Sequence, residues 1–509
     1  MANYICKERE QTILLSVSLR DQLQEGTFEH ALDYLIENQI DLTLFEKRYK
    51  NDAVGRPAWD PKILLKIVLF AYSRGIYSSR EIGRACEENV TFMALSGDSR
   101  PHFTTIANFI SSMEKEIGTV FQEILMICTE LGLIGGELLA IDGCKLSSNA
   151  SKEWSGTIEQ LRRKKEKIEA VIRDLMKKHR QKDKDDEPGS GSAGGSGGVR
   201  MEKLEGKVER IRRFLETHED KEGKRGRTLQ SNITDNESAK MQTSHGMIQG
   251  YNGVAVVDAK HQVIVAARSF GSGPEQELLE PMIDEAKRNL EAAGMGREPL
   301  AGAKLLGDTG YHTEDNCKRM EDEKIDAYIP DGQYRRRDPR FMNSKAHKPP
   351  PVKERFAIKD FTYDPATDRY TCPAGKELRL EKREARIKEY IGRQYKARQK
   401  DCSVCPLRQR CLSSDRVKER YLFIVKRRYD KNYSDEMIRK IDSPAGRDMY
   451  SRRMGIVEPV FGNIRAAKRL DRFTLRGQIK VTIQWMLYAI VHNIEKIFRS
   501  GLPYGFSVG

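Results

Sequence analysis

No stretch of this 509-residue chain approaches the roughly 20 consecutive apolar residues that a membrane-spanning helix needs, so no bilayer span is expected. The opening run Met1-Ala2-Asn3-Tyr4-Ile5-Cys6-Lys7-Glu8 meets charge before an apolar segment forms, which argues against a secretory leader and for a cytoplasmic setting. Cysteine is sparse, with nine in the chain, and a reducing compartment excludes a disulfide framework. Five of them (Cys6, Cys86, Cys128, Cys144 and Cys317) are scattered, while Cys372, Cys402, Cys405 and Cys411 are grouped. An acidic surplus is also missing. Lys and Arg number 89 against 75 Asp and Glu, a net charge of +14. That balance favours a polyanionic partner, nucleic acid foremost, although a merely soluble basic protein has the same composition. The length implies several domains.

Residues 1–135 read as helical. Asp60-Pro61 is a helix start, with Asp60 as cap and Pro61 in the first turn. Ile63, Leu64, Ile67, Val68 and Ala71 follow at helical spacing until Arg74-Gly75. Ser78-Ser79-Arg80-Glu81 is a capping box for a second helix, and Thr104-Thr105 a cap for a third. Short helices with tight joints suggest a DNA-binding helix-turn-helix-like module; a small protein-contact bundle has the same pattern.

Leu138-Leu139-Ala140-Ile141-Asp142 reads as a strand ending on a carboxylate. Residues 155–225 then carry two heptad runs (Ile158, Leu161, Ile168, Ile172, Leu175; Met201, Leu204, Val208, Ile211, Leu215) around the Gly/Ser linker 188–198. They imply an inserted antiparallel helical hairpin, which could dimerise, touch DNA, or stand as a solvated protrusion. Strands return at 253–258 and 261–267, joined by a tight turn from Asp258 to His261. A helix over 275–293, a strand through Leu305-Leu306-Gly307-Asp308, a helix over 314–324 and a strand over 325–330 follow. This order fits an α/β mixed sheet with flanking helices, the core running over 136–333 and 426–500. Residues 334–425 break the pattern and read as a cysteine-rich insertion.

Three carboxylates are candidates for chemistry. Asp142 and Asp308 sit at strand ends, Asp308 within Asp308-Thr309-Gly310-Tyr311-His312, and Glu458 opens a basic helix. Each alone is more often a turn residue; as a set they suit hard divalent cations, which take oxygen ligands. Arg465, Lys468, Arg469 and Arg472 follow Glu458 at helical spacing, a stripe that fits a phosphodiester backbone, or an ordinary solvated face. Pro459 either lies in the first helical turn or kinks a longer helix at Glu458.

With Tyr450, Arg453 and Arg465 around Glu458, and with Ser231-Asn232-Ile233-Thr234-Asp235 and Gln249-Gly250-Tyr251-Asn252 before the second strand, the chain resembles the DDE transposases of bacterial insertion sequences over most of its length. The resemblance implies a ribonuclease H-like catalytic core and a helical N-terminal domain that binds terminal inverted repeats. It implies two Mg²⁺ or Mn²⁺ ions on Asp142, Asp308 and Glu458, and DNA cleavage followed by strand transfer. Tyr450, Arg453, Arg465, Lys468, Arg469, Arg472, Lys145 and His312 are then candidates for holding DNA, although a satisfied structural histidine is the commoner fate of His312. Arg465 stands where lysine is common, which keeps the charge and changes its donor geometry. The implied partners are inverted-repeat and target duplexes and a second copy of the chain. A DNA-binding regulator with idle carboxylates, or a nuclease without strand transfer, are the alternatives.

Cys372-Pro373-Ala374-Gly375 and Cys402-Ser403-Val404-Cys405, with Cys411, have a spacing that suits tetrahedral zinc; free buried thiols are the competing reading.

Overall fold

The computed structural model describes residues 18–49, 57–185, 195–223, 226, 228–341, 355–387, 390–426 and 429–501. Cys6 and linker residues 188–194 lie outside these. The chain divides into two compact units, one of residues 1–223, 228–329 and 445–509, the other of 224–227 and 330–444.

In the first unit, the helices ahead of the sheet include α1 (Phe28–Asn38), α2 (Pro61–Ser73), α3 (Ser79–Glu88), α4 (Val90–Ser96), α5 (Phe103–Ser112) and α6 (Glu114–Glu130), with a single turn of helix at Thr43–Glu46 between the first two. Helix α2 begins as its sequence dictates, the Asp60 carboxylate accepting the Lys62 N–H at 2.8 Å ahead of Pro61. Gly75, at φ +72°, turns the chain after it. Ser78 precedes α3 without a side-chain capping bond, so the expected capping box does not form. His102, not Thr104 or Thr105, caps α5, because the helix starts at Phe103, ahead of both threonines.

Strand β1 (Leu138–Ser147) follows, then the helical hairpin α7 (Ile158–Asp185) and α8 (Gly195–Thr217). Ile158 and Leu161 bury against Ile211 and Phe214 at its base. Residues 195–198 of the expected linker are part of α8.

The sheet resumes with β2 (Ala239–Thr243), β3 (Gly246–Asp258) and β4 (Ile264–Phe270), then α9 (Leu279–Ala292), β5 (Lys304–Gly307), α10 (Glu314–Asp322) and β6 (Asp326–Tyr328). Its strand order is β6-β5-β1-β3-β2, with β4 also paired to β3. β1, β5 and β6 are mutually parallel, and β3 is antiparallel to β1 and to β4. The turn after β3 is fixed by the buried Asp258 carboxylate, which accepts backbone N–H bonds from Gly135, Gly136 and Lys260 at 3.1, 2.8 and 2.9 Å. Helix α9 starts at Leu279, four residues later than the sequence suggests, so Glu275 lies in the loop before it.

The second unit carries an antiparallel sheet in the order β7 (Thr362–Asp364), β8 (Arg369–Thr371), β9 (Glu377–Ile387), β10 (Tyr390–Ala397) and β11 (Tyr421–Val425). It ends with α11 (Tyr433–Asp442). It runs from Pro330 to Pro444, wider than the expected 334–425.

The chain then enters α12 (Pro444–Gly462) and closes with α13 (Gln478–Arg499). Helix α13 is anchored to the sheet by Trp485, whose Nε1–H donates to the Val254 carbonyl at 2.9 Å, and by Asn493, which bonds both backbone groups of Ile264. It also packs on the N-terminal helices: the Tyr72 and Tyr488 rings lie 4.7 Å apart and those of Phe28 and Phe498 6.1 Å apart. No compact-unit boundary therefore falls near residue 135. Among the described residues no helix is long and apolar enough to cross a membrane.

Candidate active site

The sheet opens where its parallel half runs out. Ile141 opposite Gly307 is the last rung between β1 and β5, while β1 continues against β3 as far as Ser147 opposite Gly250. Asp142 therefore lies within β1 and does not end it, because its antiparallel neighbour persists after its parallel neighbour stops. Asp142 and Asp308 each follow that last rung directly, so the register sets them side by side at the carboxyl end of the parallel strands. Ligands of open α/β sheets gather at such edges.

The electrostatics follow from this placement. Burial pushes the Asp142 carboxyl up to about 6; Arg453 and the Gly143 N–H oppose that rise, and the charges of Asp308 and Glu275 add to it. Arg453 reaches from α12 to place Nη2 2.9 Å from Asp142 Oδ1, with its side chain only 11% exposed. Arg453 is thus an internal counter-ion here, not an exposed DNA contact. Tyr450 sits one turn earlier on the same helix, close enough for its charge to bear on Arg453.

Glu458 does not open a helix. It lies near the end of α12, Pro459 is inside that helix, and a wide π-type turn over Asn463–Ala467 follows. Of the two placements left open for Pro459, the structure takes the internal one. Glu458 and Asp142 line a single open cleft of about 790 Å³ together with Lys145 and Arg465. Asp308 is not among the residues lining it. Among the described residues, no three His, Cys, Asp or Glu side chains are gathered as a ready-made metal shell.

The basic stripe is broken up. Helical geometry stops at Lys468, Arg469 takes φ +55°, and Phe473 N–H bonds the Ser147 carbonyl at 2.8 Å, drawing the chain toward β1. Arg465 remains exposed on the cleft. Lys468 is 1% exposed with Nζ 2.7 Å from Glu495 Oε2, which makes it a core ion pair. Arg469 packs its stem over Gly75, and Arg472 Nη2 donates to Asn149 Oδ1 at 3.1 Å. His312 Nδ1 is 2.7 Å from the Ile329 carbonyl, the satisfied histidine of the plainer reading.

Sequence reasoning missed Glu275. Its Oε1 lies 3.1 Å from Lys145 Nζ and 3.4 Å from Asn252 Nδ2. Its carboxylate lies against Gly310, where an added Cβ would meet Oε2 at 2.2 Å. Around these acids, Tyr311 Oη, Asn252 Oδ1 and Arg453 Nε are buried without a hydrogen-bond partner among the described residues. Hard oxygen donors ringed by unsatisfied polar atoms fit hydrated divalent cations.

Two family models match the chain: one described as a transposase DDE domain over residues 371–498, and one described as a transposase domain (DUF772) over residues 17–112. These two matches support a DDE-type transposase of an insertion element. No curated protein matches it. The DDE match spans Glu458 and the grouped cysteines of this transposase, while Asp142 and Asp308 lie outside it, so their assignment rests on the sheet register. A transposase acts on DNA, and DDE transposases typically use divalent metals.

Proposed function

We propose that this transposase cuts DNA at the ends of its element and joins the freed strand to a target duplex, using Asp142, Asp308 and Glu458 as ligands of two Mg²⁺ or Mn²⁺ ions. The observation that carries the reading is the side-by-side register of Asp142 and Asp308 beyond the last parallel rung, with Glu458 on the cleft that Asp142 lines. The strand order β6-β5-β1-β3, with β4 also paired to β3, is parallel on one side of β1 and antiparallel on the other, which supports a ribonuclease H-like core. When bound, the metal pair supplies Lewis-acid activation of the attacking oxygen and charge neutralisation at the leaving oxygen.

The chain's own residues do the rest. Asp142 and Asp308 repel one another when both are ionised, and Arg453 offsets part of that charge before the cations arrive. Arg465, exposed on the cleft, is placed to pair with a backbone phosphate and hold the scissile bond beside the acids. Lys145, held by Glu275, lines the same cleft. The helices of residues 17–112 are the candidates for binding inverted repeats, and synapsis of two ends calls for a second copy of the chain.

The test is to incubate end duplex and target plasmid with Mg²⁺ and separate the products. Nicked ends plus joined molecules are expected. Nicking without joining supports the nuclease reading, and binding with neither supports the regulator. Asp308→Asn should abolish both steps and leave end binding unchanged.

A further inference from the structure

We propose that Cys372, Cys402, Cys405 and Cys411 bind a single structural zinc ion in the second unit. The four residues come from three separate places: Cys372 in the turn between β8 and β9, Cys402 and Cys405 in and just after the short helix Gln399–Ser403, and Cys411 at the end of the helix Arg408–Cys411. All four line one cavity of about 30 Å³, room for a single ion. Cys372, Cys402 and Cys411 pack on the small core of Phe361, Leu378, Tyr395 and Leu422.

Two further observations suit sulfurs that ligate a metal. The first is the backbone. The Lys376 N–H donates to Cys372 Sγ at 3.3 Å, in a turn closed by Cys372 N–H to the Lys376 carbonyl at 2.8 Å and by Gly375 at φ +73°. The Arg420 N–H does the same for Cys402. Amide donors aimed at sulfur are the outer partners that hold a ligating side chain in orientation. The second is charge. The Arg408 guanidinium donates to the Cys402 carbonyl at 3.1 Å, and that of Arg420 to the Cys411 carbonyl at 2.9 Å. Two cations fixed beside the sulfurs offset the net double negative charge of a zinc tetrathiolate. An all-sulfur set of this kind selects zinc over the hard ions suited to Asp142 and Asp308. Among the described residues no three of these sulfurs stand at metal-holding spacing, so a bound ion would have to draw the cysteine turns together. In a unit whose core is this small, that closure contributes folding free energy.

The test uses the full-length protein purified without chelators. One zinc per chain by elemental analysis is expected, released by a mercurial in step with thiol modification. Reconstitution with Co²⁺ should give the intense visible bands of a tetrahedral tetrathiolate. Cys402→Ser and Cys405→Ser should lower zinc to background, while Cys317→Ser, a buried cysteine of the first unit, should keep it. A folded, zinc-free protein with no such cobalt spectrum overturns the proposal, and so do disulfides among the four cysteines. These readouts do not depend on DNA cleavage, so they stand or fall apart from the carboxylate assignment.

Discussion

Gly310 and Glu275 set the tolerance of the active site at the scale of single side chains. A methyl group on Gly310 would enter the space of the Glu275 carboxylate. Gly310→Ala should therefore lower single-turnover cleavage about tenfold, equivalent to roughly 1.4 kcal/mol of barrier, with end binding unchanged. In a Glu275→Ala background the same change should cost little, and the double-mutant cycle measures that coupling. Equal losses in both backgrounds would disconnect the pair. Asp308 was legible because Leu305-Leu306-Gly307 delivers it at a strand tip and Thr309-Gly310 turns away. Asp142 was legible as a residue, but its place inside β1 depends on which neighbouring strand stops first, and that is a long-range fact. Glu275 was hidden because an acid just ahead of a helical run reads as that helix's first turn.

Helix α12 and its exit decide which basic residues meet DNA. Arg465→Ala should weaken end binding and reduce its salt dependence by about one phosphate contact. Lys468→Ala should leave that salt slope unchanged and instead destabilise the fold by about 3 kcal/mol in urea unfolding, because it strands the Glu495 carboxylate. A matching loss of salt slope in both variants would restore the continuous stripe that the spacing suggested. That stripe assumed one regular helix, and the π-type turn after Pro459 breaks the assumption. The five-stranded sheet of the second unit was not legible for another reason. Glu377-Leu378-Arg379-Leu380-Glu381-Lys382-Arg383-Glu384 carries so much charge on β9 that its alternating apolar residues are few. By contrast, the helical hairpin, the β3–β4 turn and the α2 start were legible, since local chemistry alone fixes each of them.

Across the whole molecule, α13 ties the N-terminal helices and the sheet into one unit, and a buried histidine in it makes that unit acid-sensitive. His492 Nε2 is 2.9 Å from the Gln262 carbonyl, and burial depresses its pKa from 6.5 to about 3. The unfolded chain takes that proton near 6.5 and the folded one only near 3, so stability is complete above 6.5 and is lost as pH falls through this window. The slope for this one site is about 1.4 kcal/mol per pH unit. His492→Gln should flatten the fall in thermal midpoint between pH 6.5 and 4 relative to the parent chain; an unchanged slope would remove His492 as its source.

The central claim is that Asp142, Asp308 and Glu458 bind the metals that act on DNA, and metal-specific rescue of Asp308→Cys tests it most directly. Sulfur is a poor ligand for Mg²⁺ and a tolerable one for Mn²⁺. The variant should be silent on end DNA with Mg²⁺ and should regain cleavage with Mn²⁺, while binding the DNA equally in both. Cleavage at the parent rate in Mg²⁺ alone would place Asp308 outside the metal site.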